Sequence, residues 1–163
     1  MEQRYIFRSA VEADAARIWE LIEQAKAQMY REKKQQWNGS YPAPEHIAAD
    51  ICNGYGYVLC DGERVIAYGA VIFDEEPAYR TIQGTWLSDR PYVVVHRLAV
   101  ADEVKRRGVA VAFMRETERL SLSKGVCSFR VDTNFDNFYM QKVLSRLEFV
   151  YCGEIVYAQG RRM

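Results

Sequence analysis

Residues 92–114 read YVVVHRLAVADEVKRRGVAVAFM, and this stretch decides the architecture. From Tyr92 to Val100 the chain is rich in β-branched residues, and the adjacent His96 and Arg97 are its only charged side chains. That is the pattern of a strand covered on both faces. Ala101-Asp102-Glu103 breaks the run, and Lys105-Arg106-Arg107-Gly108-Val109-Ala110 follows. Beyond it the apolar residues Val109, Ala112, Phe113 and Leu120 recur at helical spacing. A strand that feeds a glycine turn at a helix N-terminus makes a cradle for phosphate. The N–H groups of the first helical turn have no partner within the helix, and its dipole favours an anion there.

The rest of the chain sets the background for that turn. At 163 residues it is expected to form one domain, 1–163, with a core of its own. Its formal net charge of zero argues against nucleic acid or an anionic membrane surface as a partner, so three clustered cations stand out as a local feature. Cys52, Cys60, Cys127 and Cys152 are far apart, and with only two histidines in the chain a metal site is not expected. They read as buried free thiols in a reducing compartment. No apolar run approaches the roughly 20 residues of a membrane span, and Met1-Glu2-Gln3-Arg4 leads into no signal-peptide core, so a cytoplasmic protein is expected.

Outward from the central stretch, the elements alternate. Tyr5–Arg8 is a strand candidate, with Ser9 and Glu12 spaced as a capping box for the helix that follows. That helix should run from Val11 to about Gln36, with Ile18, Leu21, Ile22, Ala25 and Met29 as its apolar stripe. Trp37 to Pro42 is a loop, and Pro44 opens a second helix to about Cys52. Asp61-Gly62 joins strands 55–60 and 64–73 as a hairpin. Thr81 to Arg90 is irregular. After the central helix, Gly125 is a stop signal and Val126–Thr133 a strand, expected to lie parallel to 92–100 by a right-handed crossover. Asp136 or Asn137 caps a last helix, and 149–152 and 155–158 close the chain as a hairpin around Gly153. The expected fold is a mixed α/β (α+β) domain. A central, mostly antiparallel twisted sheet of about six to seven strands carries helices on both faces, in the order β-α-α-β-β-β-α-β-α-β-β.

This order and the turn at Lys105–Ala110 resemble the GNAT superfamily of acyl-CoA N-acyltransferases. The family's cofactor motif is Arg or Gln, two residues, Gly, one residue, then Gly or Ala. Gly108 and Ala110 match it, and Lys105 replaces the first residue. In the family's last helix an Asn, an Ala, a Tyr and a Gly-Phe recur at fixed spacing. Asn137 and Phe149 match, while Met140, Leu144 and Glu148 stand in the other places.

The resemblance implies direct transfer of an acetyl group from acetyl-CoA to a primary amine on a small molecule or peptide, and it allows a homodimer. Backbone N–H groups of Arg106, Arg107, Gly108, Val109 and Ala110, with Lys105 at the head of the turn, would hold the pyrophosphate. Leu98, Ala99 and Val100 would pair with the pantetheine arm and offer an N–H to the thioester carbonyl. Asn137 either contacts the pantetheine or caps its own helix. His96 is the candidate base, because an imidazole titrates near neutral pH. Arg97 is expected to pair with a buried carboxylate such as Asp132, or else to clamp a substrate carboxylate. Leu144 cannot donate the proton that the family's tyrosine supplies, and no general acid is assigned. The alternative is a module of the same fold that binds acyl-CoA as a sensor without turning it over. A P-loop nucleotide hydrolase is excluded by spacing, since Lys105 precedes the glycine.

Overall fold

Gly62 adopts a left-handed φ of 62°, which costs glycine nothing, and so closes the hairpin of β2 (Gly56–Asp61) and β3 (Arg64–Ile72) with Asp61 opposite Arg64. The computed structural model describes residues 4–34, 36–157 and 160–162. Met1 to Gln3, Gln35 inside the expected first helix, and Ala158 at the end of the expected closing hairpin lie outside them.

The chain forms two compact units. The first is drawn from residues up to Ile72 together with Val95–Thr117. It holds β1 (Ile6–Ser9), antiparallel to β2, then α1 (Ala15–Arg31), α2 (Pro44–Cys52), the hairpin, most of β5 (Tyr92–Val100) and most of α3 (Val109–Ser123). Ser9 belongs to β1 and caps nothing. The polar group at this corner is Asp14, which accepts the N–H of Val11 at 2.9 Å and two bonds from Arg8. β3 is buried over nearly its whole length. Neighbouring residues of a strand face opposite ways. Tyr68 reaches Asp50 on α2, while Gly69 faces Phe113 on α3, so helices cover both faces of this sheet.

The second unit is drawn from Phe73–Val94 and the residues from Glu118 on. Here β5 runs parallel to β6 (Ser128–Arg130), Tyr92 opposite Ser128, as the crossover requires. The hydrogen-bonded order of the five strands is β1-β2-β3-β5-β6. α4 (Phe138–Arg146) follows. A separate three-stranded sheet, β4-β7-β8, combines β4 (Gln83–Gly84), β7 (Gly153–Tyr157) and β8 (Gly160–Arg162). The expectation of six to seven strands in one sheet is therefore corrected to five and three. The expected closing hairpin is also displaced. Gly153 is no turn but the first residue of β7, where a Cβ would stand 2.3 Å from the carbonyl oxygen of Gln83. Glycine is required there because two backbones pass in contact.

Of the four cysteines, only Cys60 is buried; Cys52 and Cys127 are exposed, so the expectation of buried thiols fails for both.

Candidate active site

β5 carries two departures from a regular strand. Its parallel pairing with β6 spans Tyr92–Val94 and goes no further, so the ladder has ended before Leu98. At Arg97 the backbone turns to a φ of 55°, the left-handed region that a residue with a Cβ rarely enters. A kink thus separates His96, which is half-buried, from Leu98, Ala99 and Val100, of which only Ala99 is buried. Strand alternation across this pair is broken, as happens where a bulge enters a strand.

Past the strand, Asp102–Val104 forms one short helical turn. Arg106 and Gly108 are both left-handed, at 67° and 72°, and backbone of this kind builds anion-binding nests. Arg106, Arg107 and Gly108 are exposed, and a Cβ placed at Gly108 would meet no atom within 4 Å. Val109 and Ala110 are buried and anchor the start of α3. The helix ladder begins with the N–H of Ala112 on the carbonyl of Gly108 at 3.0 Å, which leaves the N–H groups of residues 109–111 outside it. The turn therefore offers what a pyrophosphate needs: open space beside a glycine, unladdered N–H groups and two exposed guanidinium groups.

A polar face of α1 braces this turn. Arg17 donates to Glu103 at 2.5 Å, Gln24 accepts the N–H of Asp102 at 2.9 Å, and Gln28 accepts from the ammonium of Lys105. Lys105 also meets Asp102 at 2.6 Å. Its charge is thus answered within the protein, and Lys105 fixes the turn from behind. A hydrogen bond from its own backbone, then the hydrogen bond and charge of Arg17 and the charge of Arg64, hold the Glu103 carboxyl below its ordinary range, against the effect of burial.

Arg97 does not pair with Asp132. Its Nε and Nη2 donate to the two oxygens of Asp50 at 2.8 and 2.6 Å, and its Nη1 donates to the hydroxyl of Tyr41 at 3.0 Å. Tyr68 donates to the same Asp50 carboxylate. Burial alone would lower the pKa of the Arg97 guanidinium, but the hydrogen bonds and charge of Asp50 outweigh it and hold the proton more tightly. Burial, then the Asp50 charge, push the Tyr68 phenol well up. With its charge cancelled, Arg97 has little to offer a substrate carboxylate. Asp50 was missed from sequence, although it stands three residues after the buried Ile47 on α2, a position where a carboxylate needs a partner.

In the second unit, Asn137 caps α4 by accepting the N–H of Met140 at 3.1 Å. Asp132 accepts from Tyr79 at 2.7 Å and Tyr157 at 2.9 Å. Trp86 packs against Tyr79 and donates to its carbonyl at 2.9 Å, and Trp37 is buried; both are packing aromatics. Tyr139 and Tyr151 are exposed. The first unit thus brings together His96, the 98–100 edge and the 105–110 turn, while Asn137 belongs to the second. Among the described residues, no group of three or more His, Cys, Asp or Glu side chains is disposed to hold a metal, and no helix is long and apolar enough to cross a membrane.

These features define an acyltransferase frame, and comparison with known proteins agrees. The Acetyltransferase (GNAT) family model matches residues 18–149, and the chain belongs to that family. A GNAT-family acetyltransferase from Streptococcus agalactiae is similar over 99% of this chain and 94% of its own, with 33% identity and a TM-score of 0.87. The aminoglycoside 6'-N-acetyltransferase of Acinetobacter haemolyticus shares the fold at 19% identity and a TM-score of 0.64, over 93% of this chain and 95% of its own. The ribosomal-protein-S18-alanine N-acetyltransferase of Escherichia coli does so at 12% identity and 0.65, over 98% and 88%. No curated protein sequence matches the chain.

Proposed function

We propose that the protein is an acetyl-CoA-dependent N-acetyltransferase of the cytoplasm, acting as one domain over 1–163 on a primary amine of a small molecule or peptide. The observation that carries this reading is the state of β5 before the turn. Its pairing with β6 has stopped by Val94, the kink at Arg97 follows, and Leu98–Val100 leads directly to the left-handed turn at the head of α3. A strand edge beside an anion cradle suits an extended chain ending in phosphate.

In this reading the turn from Lys105 to Ala110 holds the pyrophosphate through the N–H groups of Arg106 to Ala110, and Lys105 keeps the turn in shape. Leu98, Ala99 and Val100 hold the pantetheine arm, and Asn137 is kept as the cap of α4. Acetyl-CoA supplies an activated acyl carbon. The acceptor is an ammonium at neutral pH and must lose a proton before it can attack; His96 takes it, directly or through water. The C–N bond then forms while an N–H of the 98–100 edge stabilises the charge on the carbonyl oxygen. The C–S bond breaks, the nitrogen gives up its second proton to solvent, and CoA leaves as the thiolate or takes a proton from water; Leu144 cannot supply one, and no general acid is assigned. Proteins of this fold named for an aminoglycoside and for a ribosomal-protein alanine support amine acceptors of either kind.

The test is thiol release from acetyl-CoA across a panel of amines, with thermal stabilisation by acetyl-CoA and by ATP measured beside it. Amine-dependent release together with stabilisation by acetyl-CoA is expected. Stabilisation by ATP alone would sink the reading. Binding of acetyl-CoA with no release for any amine would favour the sensor, the reading to which Leu144 lends weight.

A further inference from the structure

Arg97 is the only non-glycine residue with a positive φ inside a strand among the described residues. Glycine would accept this backbone without cost, whereas a residue with a Cβ is strained there. What arginine brings to the position is its side chain. The fork of the guanidinium meets Asp50 through two bonds, and a planar fork fixes orientation as well as distance. Both side chains are largely enclosed, at 14% exposure for Arg97 and 5% for Asp50. Asp50 is itself held by Tyr68 from β3. The third nitrogen of Arg97 reaches Tyr41, whose ring stands edge-on to His46 with centroids 4.8 Å apart. Tyr41 closes a short loop in which Asn38 Oδ1 accepts the N–H groups of Ser40 and Tyr41 at 2.8 and 2.9 Å. One arginine therefore joins α2, β3 and the 38–41 loop to the kink in β5.

We propose that Arg97 is a positioning residue for acetyl transfer: Asp50 and Tyr41 hold its guanidinium, and through it they hold the kink that aims His96 and the Leu98–Val100 edge. The inference rests on the acetyltransferase reading and deepens it. Arg97 does not touch the reacting atoms. It fixes the backbone on either side of itself, and Tyr41 makes the order of the 38–41 loop part of that control.

The test uses the full chain, with Arg97→Lys and Tyr41→Phe compared with the wild type. Lysine keeps the charge facing Asp50 but cannot form the fork, so the protein remains folded with the kink loosened. With the best amine of the panel, kcat for Arg97→Lys should fall by about 100-fold, the scale of a misplacement near 1 Å. Tyr41→Phe removes one hydroxyl from a partly exposed site, and kcat should fall by about 5-fold, the scale of one hydrogen bond. Because the 98–100 edge also holds the pantetheine arm, the acetyl-CoA dissociation constant should rise as well, but by clearly less than kcat falls, since the 105–110 turn that holds the pyrophosphate is untouched. A merely structural role would instead lower the melting temperature with kcat preserved in the folded protein. Wild-type kcat in Tyr41→Phe, or kcat and acetyl-CoA affinity falling in parallel, overturns the proposal while leaving the acetyltransferase reading intact. A wild-type protein that releases no thiol with any amine overturns both.

Discussion

Gly69 on β3 leaves the space that the ring of Phe113 on α3 occupies: a Cβ there would stand 2.7 Å from Cζ and 2.8 Å from Cε1. Phe113 is fully buried and meets Phe7 edge-on at 5.3 Å, and Val95 closes in at 3.3 Å from the same Cβ position, so the ring has little room to retreat. This contact seats on the sheet the helix whose first turn is proposed to hold the pyrophosphate. Gly69→Ala is expected to cost about 1–3 kcal/mol by overpacking. Denaturant unfolding measures it, and pairing the change with Phe113→Leu should recover part of the loss. A Gly69→Ala protein as stable as the wild type would mean that the ring is not fixed as described.

At Gly108 the constraint is conformational, since the space beside it is empty and the φ of 72° is the obstacle. Gly108→Val places a β-branched residue in that conformation and fills the open space beside the exposed turn. The thermal stabilisation by acetyl-CoA should disappear, while the unliganded protein melts within a few degrees of the wild type. Retained stabilisation would move the pyrophosphate site elsewhere.

These two glycines differ in how far they could be read from sequence. Gly108 announces itself by local pattern, a strand before it and an amphipathic helix after it, and Gly62 does so between two apolar runs. Such signals depend on neighbours in the chain, and the elements they predicted are present. Gly69 lies inside an apolar strand, and its reason is a ring 44 positions away. The kink at Arg97 has no local signature, because arginine, unlike glycine or asparagine, does not mark left-handed backbone. Its partner Asp50 lies 47 positions back on another helix. The reading of Gly153 as a turn failed for a related reason: glycine marks tight turns and close backbone crossings alike, and only the pairing with Gly84 on β4 tells them apart.

His96 is expected to act on the proton of the amine and not on the cofactor. His96→Ala should lower kcat by about 100-fold or more, in the range attributed to a positioned base, with the acetyl-CoA dissociation constant little changed. The remaining activity should rise towards alkaline pH, where the amine loses its proton unaided. An unchanged kcat with a good acceptor would take His96 out of the mechanism.

The thiols should react in an order set by exposure. Burial pushes the Cys60 thiol up, and the nearby Arg8, which pulls the other way, does not offset it. Cys52 and Cys127 are exposed. A disulfide reagent at about pH 8 should modify those two quickly and reach Cys60 only on unfolding. A fast reaction at Cys60 in the folded Cys52→Ala/Cys127→Ala protein, with the partly exposed Cys152 also replaced, would contradict this order.

Acid should loosen the corner where β1 leaves for α1. Hydrogen bonds from Arg8 hold the Asp14 carboxyl below its ordinary range, helped by the N–H of Val11, although burial pushes it up. Its folded pKa is thus depressed relative to an unfolded value of about 3.9. The stability it contributes is complete above about pH 4 and is lost as pH falls through the lower folded value. Asp14→Asn cannot carry that charge, so it should be the less stable protein at pH 7. The gap in denaturation midpoint between the two should close as pH falls below about 4, where the wild-type carboxyl becomes protonated. Since Arg8 is 39% exposed, added salt should narrow the gap at pH 7 as well. A gap of constant size from pH 7 down to about 2.5 would show that Asp14 acts by its shape and not by its charge.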